Sequence, residues 1–106
     1  MKLMIVIVQE QDYAKLATLL IRNRIHATRF ETSGLYSNKK NETLFICVED
    51  EQQEQILDYI WESCIEREES CQVWEYNGNM MVQVEKTLKI GGATIFISEV
   101  KDIMKF

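Results

Sequence analysis

Proline is absent from this chain of 106 residues, and glycine occurs only four times. With no proline and no Ser/Gly-rich tract there is no linker, so residues 1–106 are expected to form a single domain. No apolar run reaches membrane-spanning length. The apolar start Met1–Val8 lacks the cationic stretch and small-residue cleavage site of a signal peptide, so the expectation is a cytoplasmic protein with no membrane partner. Histidine occurs once, as His26, and no cysteine or carboxylate stands with it at metal-site spacing; neither a metal nor another cofactor is expected. There is no serine in a nucleophile elbow, no Walker motif and no GxGxxG, so the chain reads as a non-enzyme. Cys47, Cys64 and Cys71 leave one thiol over in any disulfide scheme and form no CxxC clip, which points to reduced thiols. Cys64 closes an apolar stripe and reads as a small buried residue rather than a reactive one.

Charge is present but uneven. The net charge of −5 excludes DNA or RNA as a general partner. Between Tyr13 and Asn41, however, Lys15, Arg22, Arg24, Arg29, Lys39 and Lys40 face a single acid, Glu31. Six cations against one acid leave +5 in that segment and −10 over the remainder of the −5 chain. One end of the domain can therefore attract a small anion while the rest repels polyanions.

The apolar pattern sets the organisation. Lys2–Val8 and Thr43–Val48 are nearly continuous apolar runs and are expected to be strands buried on both faces. Asp12 is expected to cap a helix whose stripe is Tyr13, Leu16, Ala17 and Leu20. His26–Thr32 reads as a second strand, and Ser33–Glu42 as a polar, mobile loop of about ten residues. Asp50 with Gln53 resembles a capping box for a second helix, lined by Gln53, Ile56, Leu57, Ile60 and Cys64. Glu66, Glu68 and Glu69 read as its solvated end. From Cys71 the chain turns extended, and Asn77-Gly78 predicts a two-residue type I′ hairpin, with Met80, Val82, Val84, Leu88 and Ile90 on the return arm. Thr94–Val100 closes as a strand, followed by an Ile103–Phe106 tail. Gly91-Gly92, opening a β-branched run, reads on its own as a β-bulge. The order β-α-β-loop-β-α-hairpin-β implies an α+β, ferredoxin-like βαβ-βαβ sandwich with an additional β-hairpin.

A ligand carrying two phosphates and an aromatic base needs cations or backbone amides and a flat stacking surface. Arg24, His26, Arg29, Lys39 and Lys40 supply the first, Tyr36 the second, and Thr28 and Asn41 add short hydrogen-bonding side chains.

Several pieces recur in register along the chain: Met1-Lys2-Leu3, Val8-Gln9-Glu10-Gln11-Asp12, Thr28 with Gly34 and Asn41, Val48-Glu49-Asp50, Cys64 with Arg67-Glu68, and Ile90-Gly91-Gly92-Ala93-Thr94-Ile95-Phe96. Together, over the full length, they resemble the PII-like cyclic di-AMP receptor family of Gram-positive bacteria. The resemblance implies a homotrimer of ferredoxin-like subunits that bind cyclic di-AMP or a related nucleotide between them. It also implies loops that reorder on binding, and a downstream protein partner whose identity the residues do not give. The ligand-binding residues it implies are Arg24, His26, Thr28, Gly34, Tyr36, Asn41, Gly91 and Gly92. The chain departs from the family pattern at Leu35, Tyr36 and Ser37 after Gly34, at His26 and Arg24 in place of arginine and asparagine, and at Cys47 in place of glycine. The alternative reading is a trimeric interaction module that has lost the nucleotide and acts through its hairpin.

Overall fold

The computed structural model describes all residues, 1–106. The elements in chain order are β1 (Lys2–Gln9), α1 (Glu10–Arg22), β2 (Thr28–Ser33), β3 (Lys40–Val48), α2 (Gln53–Ser63), β4 (Arg67–Tyr76), β5 (Met81–Ile90) and β6 (Ala93–Glu99). Four strands form one antiparallel sheet in the order β2-β3-β1-β6, and β4 and β5 form a separate two-stranded arm.

The sheet has two unlike faces, set by the two-residue period of strands. Met4, Val6 and Val8 of β1 and Leu44, Ile46 and Val48 of β3 point one way, onto Leu16 and Leu20 of α1 and Ile56 and Ile60 of α2. Burying each such side chain contributes roughly 1.5–3 kcal/mol, so this layer is the main source of stability. The opposite face carries Leu3, Ile5 and Ile7 of β1, paired across to Cys47, Phe45 and Thr43 of β3 and to Ser98, Phe96 and Thr94 of β6. The expected two-sided burial of these strands is thus corrected: one face is covered, while Phe45, Phe96 and Cys47 on the other remain exposed. Phe30 of β2 stands beside Phe45 on that open face, with ring centroids 5.0 Å apart.

Local details depart from the sequence reading for identifiable reasons. Asp12 does not cap α1, which starts directly out of β1 with Gln9 at the N-cap; Asp12 lies in the first turn, nearly buried, and binds Arg67. The capping box before α2 is Glu49 with Gln52, one residue early, because a short 3₁₀ turn, Asp50–Gln52, precedes the helix. Glu68 and Glu69 are not a helix end but part of β4, where strand alternation turns Glu69 toward Arg67 and Lys39. The second strand is shifted to Thr28–Ser33, and β3 begins at Lys40, so the loop between them is residues 34–39.

The hairpin turn is a four-residue loop, because Tyr76 pairs with Met81. Asn77 keeps a negative φ, its side-chain oxygen accepting the backbone N–H groups of Asn79 and Met80, and only Gly78 is left-handed. A type I′ turn needs both, and this Asx-type capping replaces it. Met80 therefore belongs to the loop.

Gly91 and Gly92 form no bulge. They are the two-residue link that carries the chain from the arm back to the main sheet, both with positive φ. A Cβ on Gly91 would collide with the Ile65 carbonyl oxygen and press on Arg67, whereas one on Gly92 meets open space. Gly91→Ala is expected to cost more than about 2 kcal/mol, through strain plus collision, and Gly92→Ala roughly 1 kcal/mol, through φ alone. Equal urea midpoints for the two variants would contradict this account.

Candidate functional site

The eight candidate residues fall into two groups along the main sheet. At the end where β1 finishes and β3 begins, Asn41 pairs with Gln9 and Thr32, and the side-chain amide of Gln9 donates to Asn41 Oδ1 at 3.1 Å. Gly34 follows β2 there, and Gly92 precedes the Ala93–Val8 pair at the same end. Tyr36 lies in the connecting loop. Arg24 and His26 lead into Thr28, which pairs with Phe45 on the open face, level with Ile5 in the middle of β1. Asn41 and Phe45 are four residues apart on β3, so about 13 Å of strand separates the two groups. A single chain brings Gly34, Tyr36, Asn41, Gly91 and Gly92 to one end of the sheet and does not bring Arg24, His26 and Thr28 to them.

The loop is held more firmly than its composition suggested. Tyr36 O accepts the Trp74 N–H at 2.9 Å, and the Asn38 N–H donates to Gln72 O at 3.1 Å, with Ser37 bridging Val73. Residues 36–38 thereby act as a short third strand on the free edge of β4. Lys39 Nζ reaches Glu69 Oε2 at 2.7 Å, and Arg67 Nε reaches Glu69 Oε1 at 3.1 Å. Arg67 also contacts Asp12, at 3.3 Å, as well as Gln11 and the Ile65 carbonyl. No pattern in the sequence hinted at this clasp. Its members stand far apart in the chain, and the strand parity that turns Glu69 inward depends on where β4 begins. Leu35, by contrast, is almost fully exposed.

The positive segment is partly neutralised. Arg29 pairs with Glu42 at 3.0 Å and Glu31 at 3.1 Å and lies 4.8 Å from the centre of the Tyr13 ring. Tyr13 and then Glu42 push its pKa up. Lys39 is taken by Glu69, and Lys15 donates to the Glu62 carbonyl. Arg22, Arg24 and Lys40 make no ion pair. The cleft beside Asn41, of about 250 Å³, sets Glu10, Glu31 and Glu42 against Lys40 alone. Three carboxylates against one ammonium do not suit a phosphate. Cys64 agrees with its reading as a packing residue: burial pushes its thiol up to about 11.

Arg24 is the one non-glycine residue with a positive φ, at 58°. It ends α1 in a Schellman arrangement, its N–H donating to Ile21 O at 3.1 Å and that of Ile25 to Leu20 O at 2.9 Å. Glycine is the favoured residue at such a position, and a side chain there costs roughly 1–2 kcal/mol. The strained residue is also an unpaired cation on the segment that leads into Thr28, as expected where side-chain chemistry outweighs backbone comfort.

A family model described as Cyclic-di-AMP receptor matches residues 1–106, and the chain belongs to that family, one of PII-like signalling proteins. The fold is also similar to a crystal structure described as that of a functionally unknown protein from Pediococcus pentosaceus ATCC 25745. It is 28% identical, and the match has a TM-score of 0.73 over 99% of this chain and 96% of that one.

Two outcomes follow from the site's geometry. Arg24→Gly should stabilise the ligand-free protein by about 1 kcal/mol in urea unfolding, since it relieves the left-handed strain; a loss of stability would contradict the strain. The second concerns the clasp. Lys39 first, then Arg67, hold Glu69 below its ordinary carboxylate pKa. A lowered folded-state pKa means the clasp is intact above the ordinary range and is lost as pH falls through the lowered value. Glu69→Gln mimics that protonation at neutral pH. It should speed amide exchange at Asn38 and Trp74 severalfold while leaving Val6 unchanged, as read by NMR. Unchanged exchange at Asn38 and Trp74 would show that the clasp does not hold the loop.

Proposed function

We propose that the protein is a non-enzymatic cytoplasmic sensor that binds cyclic di-AMP, or a closely related cyclic dinucleotide, in clefts between the subunits of a homotrimer. The observation that carries this reading is the separation of Thr28 and Asn41, the two candidates on the uncovered sheet face, by about 13 Å of strand. If the site is built between chains, one subunit's Arg24, His26 and Thr28 can meet a neighbour's Gly34, Tyr36, Asn41, Gly91 and Gly92. Association also covers Phe30, Phe45 and Phe96, which a soluble monomer would leave in water. The strand order β2-β3-β1-β6, with both helices on one face and the arm inserted before β6, supports a ferredoxin-like subunit.

In this reading Arg24 and His26 meet phosphate, Thr28 and Asn41 hold the ligand by hydrogen bonds, and Tyr36 stacks on a base. Engaging Tyr36 pulls on the backbone that carries Trp74's partner carbonyl, so the loop and the β4–β5 arm move together. The exposed tip of that arm, Trp74, Tyr76, Met80 and Met81, then presents the signal to a downstream protein. The same tip favours the second reading, a trimeric interaction module without a nucleotide.

Isothermal calorimetry with a panel of cyclic dinucleotides separates the two. Cyclic di-AMP should bind. Thr28→Ala should weaken it roughly ten- to hundredfold, the effect of losing one hydrogen bond to a charged group. Tyr36→Ala should cost a similar factor through lost base stacking, worth about 1–3 kcal/mol. Glu54→Gln, on the exposed side of α2, should change nothing. Replacing both Leu35 and Cys47 by glycine should tighten binding. Absence of heat at millimolar ligand, even in that double variant, leaves the interaction module; a monomer mass by light scattering at micromolar protein defeats the shared-cleft geometry.

A further inference from the structure

The outer edge of β6 is unpaired, since β1 is its one strand neighbour. Its sequence, Ala93-Thr94-Ile95-Phe96-Ile97-Ser98-Glu99, holds no lysine, no proline and no bulge, and its one charge, Glu99, stands at the far end from the groove. On the helix side of this edge lies a groove of about 640 Å³ between α2 and β6. Leu57, Ile60, Trp61, Ile65 and Ile95 line it, with Glu66 at its rim, and Trp61 is 87% exposed. On the other side of the edge stands Phe96, also exposed. An edge this apolar, with an open tryptophan beside it, is a docking surface in want of an extended segment.

The same chain contains a segment of matching character. After β6, Val100–Phe106 belongs to no helix or strand, and Ile103, Met104 and Phe106 are exposed. It carries no glycine, proline or asparagine, Asp102 being its one turn-forming residue, and the Val100 N–H donates to Met1 O at 3.1 Å, which extends the β1–β6 ladder by one bond and ties the start of the segment to β1. Strand alternation makes the fit specific. Ile103 opposite Ile95 in an antiparallel pairing sends Lys101, Ile103 and Lys105 toward the groove and Met104 toward the Phe96 side. Ile103 then fills the space beside Trp61 and Ile65, and Lys105, opposite Ala93, falls next to Glu66. Glu66 is free to accept it, its present contact with Lys89 being a long 3.8 Å.

We propose that β6 and the α2–β6 groove receive residues 101–106 of a second copy of this chain, as an added strand that closes the edge and anchors one subunit to the next. This rests on the homo-oligomer inferred above but not on the nucleotide, and the test uses none.

In a Trp74→Phe background the remaining tryptophan, Trp61, reports the groove. Iodide quenching of Trp61 should rise several-fold when residues 101–106 are removed. It should rise likewise in full-length Ile103→Asp, a change at an exposed position that keeps the test alive if the shortened chain folds poorly. Adding the peptide Lys-Asp-Ile-Met-Lys-Phe at up to millimolar concentration to the shortened protein should restore the shielding and shift Trp61 emission to the blue. Glu66→Lys should weaken that rescue, and a peptide with glutamate at the Lys105 position should recover it. Cross-linking of mixed isotope-labelled subunits should join the segment to α2 of a different copy. Equal quenching with and without the segment, in an oligomer of unchanged mass, overturns the proposal while leaving the trimer intact. Cross-links confined to one copy overturn it in favour of the segment folding back, and a monomer overturns it together with the subunit cleft.

Discussion

One sheet and two helices can cover only one face, and most of what is distinctive here follows from that constraint. The covered face buries Met4, Val6, Val8, Leu44, Ile46 and Val48 against α1 and α2 and fixes the register of β1 against β3. A slip of one residue would exchange that set for the open-face set, which includes Thr43, Cys47, Ser98 and Thr94, so register is strongly specified. The open face inherits the other half of each apolar run. Its aromatic residues, Phe30, Phe45 and Phe96, are too many and too close together to be scattered surface residues. Thr28 and Asn41 share this face with them, so the surface that asks for a partner chain is also the surface that carries ligand-binding candidates.

The second organising feature is the strap between the loop and the arm. A two-stranded hairpin is marginal by itself. Here Val73 and Cys71 are nevertheless buried, because residues 36–38 lie along the edge of β4 and Val84, Leu88 and Ile90 pack with them. The Asp12–Arg67–Glu69–Lys39 chain of charges ties this unit to the start of α1. Gly91 must be a glycine because Ile65 and Arg67 crowd the point where the arm rejoins the sheet. The arm is therefore a lever with three fixed points: the loop, the ion-pair chain and the diglycine link. Tyr36 sits on the first of these.

The element order, both helices and the hairpin were legible in the sequence because long periodic segments announce themselves. So was the family, through short pieces in register. What was not legible has physical causes. Lys2–Val8 read as doubly buried because sequence period reports the chemistry of a face, not what covers it. Asp12 read as a cap because its type and place suit one, yet its carboxylate is claimed by Arg67, 55 residues away in sequence. In the acidic run Glu66 and Glu68 are solvated as expected, whereas Glu69 is drawn in by Lys39, 30 residues away in sequence and brought to it by the loop's strap on the arm. Gly91-Gly92 read as a bulge because local sequence cannot say that two sheets meet there. For the candidate site, sequence named residues of suitable chemistry but could not show that they divide into two distant groups.

That division also resolves the charge pattern. In one chain the +5 segment is poor at holding an anion, since Arg29 and Lys39 are spent on carboxylates and the cleft beside Asn41 is acidic. The free cations are Arg22 and Arg24 at the end of α1 and Lys40 at the start of β3. Neither group alone neutralises two phosphates. The −5 charge of the chain repels a long polyanion, so the acidic exterior works against nucleic acid whatever the few free cations do.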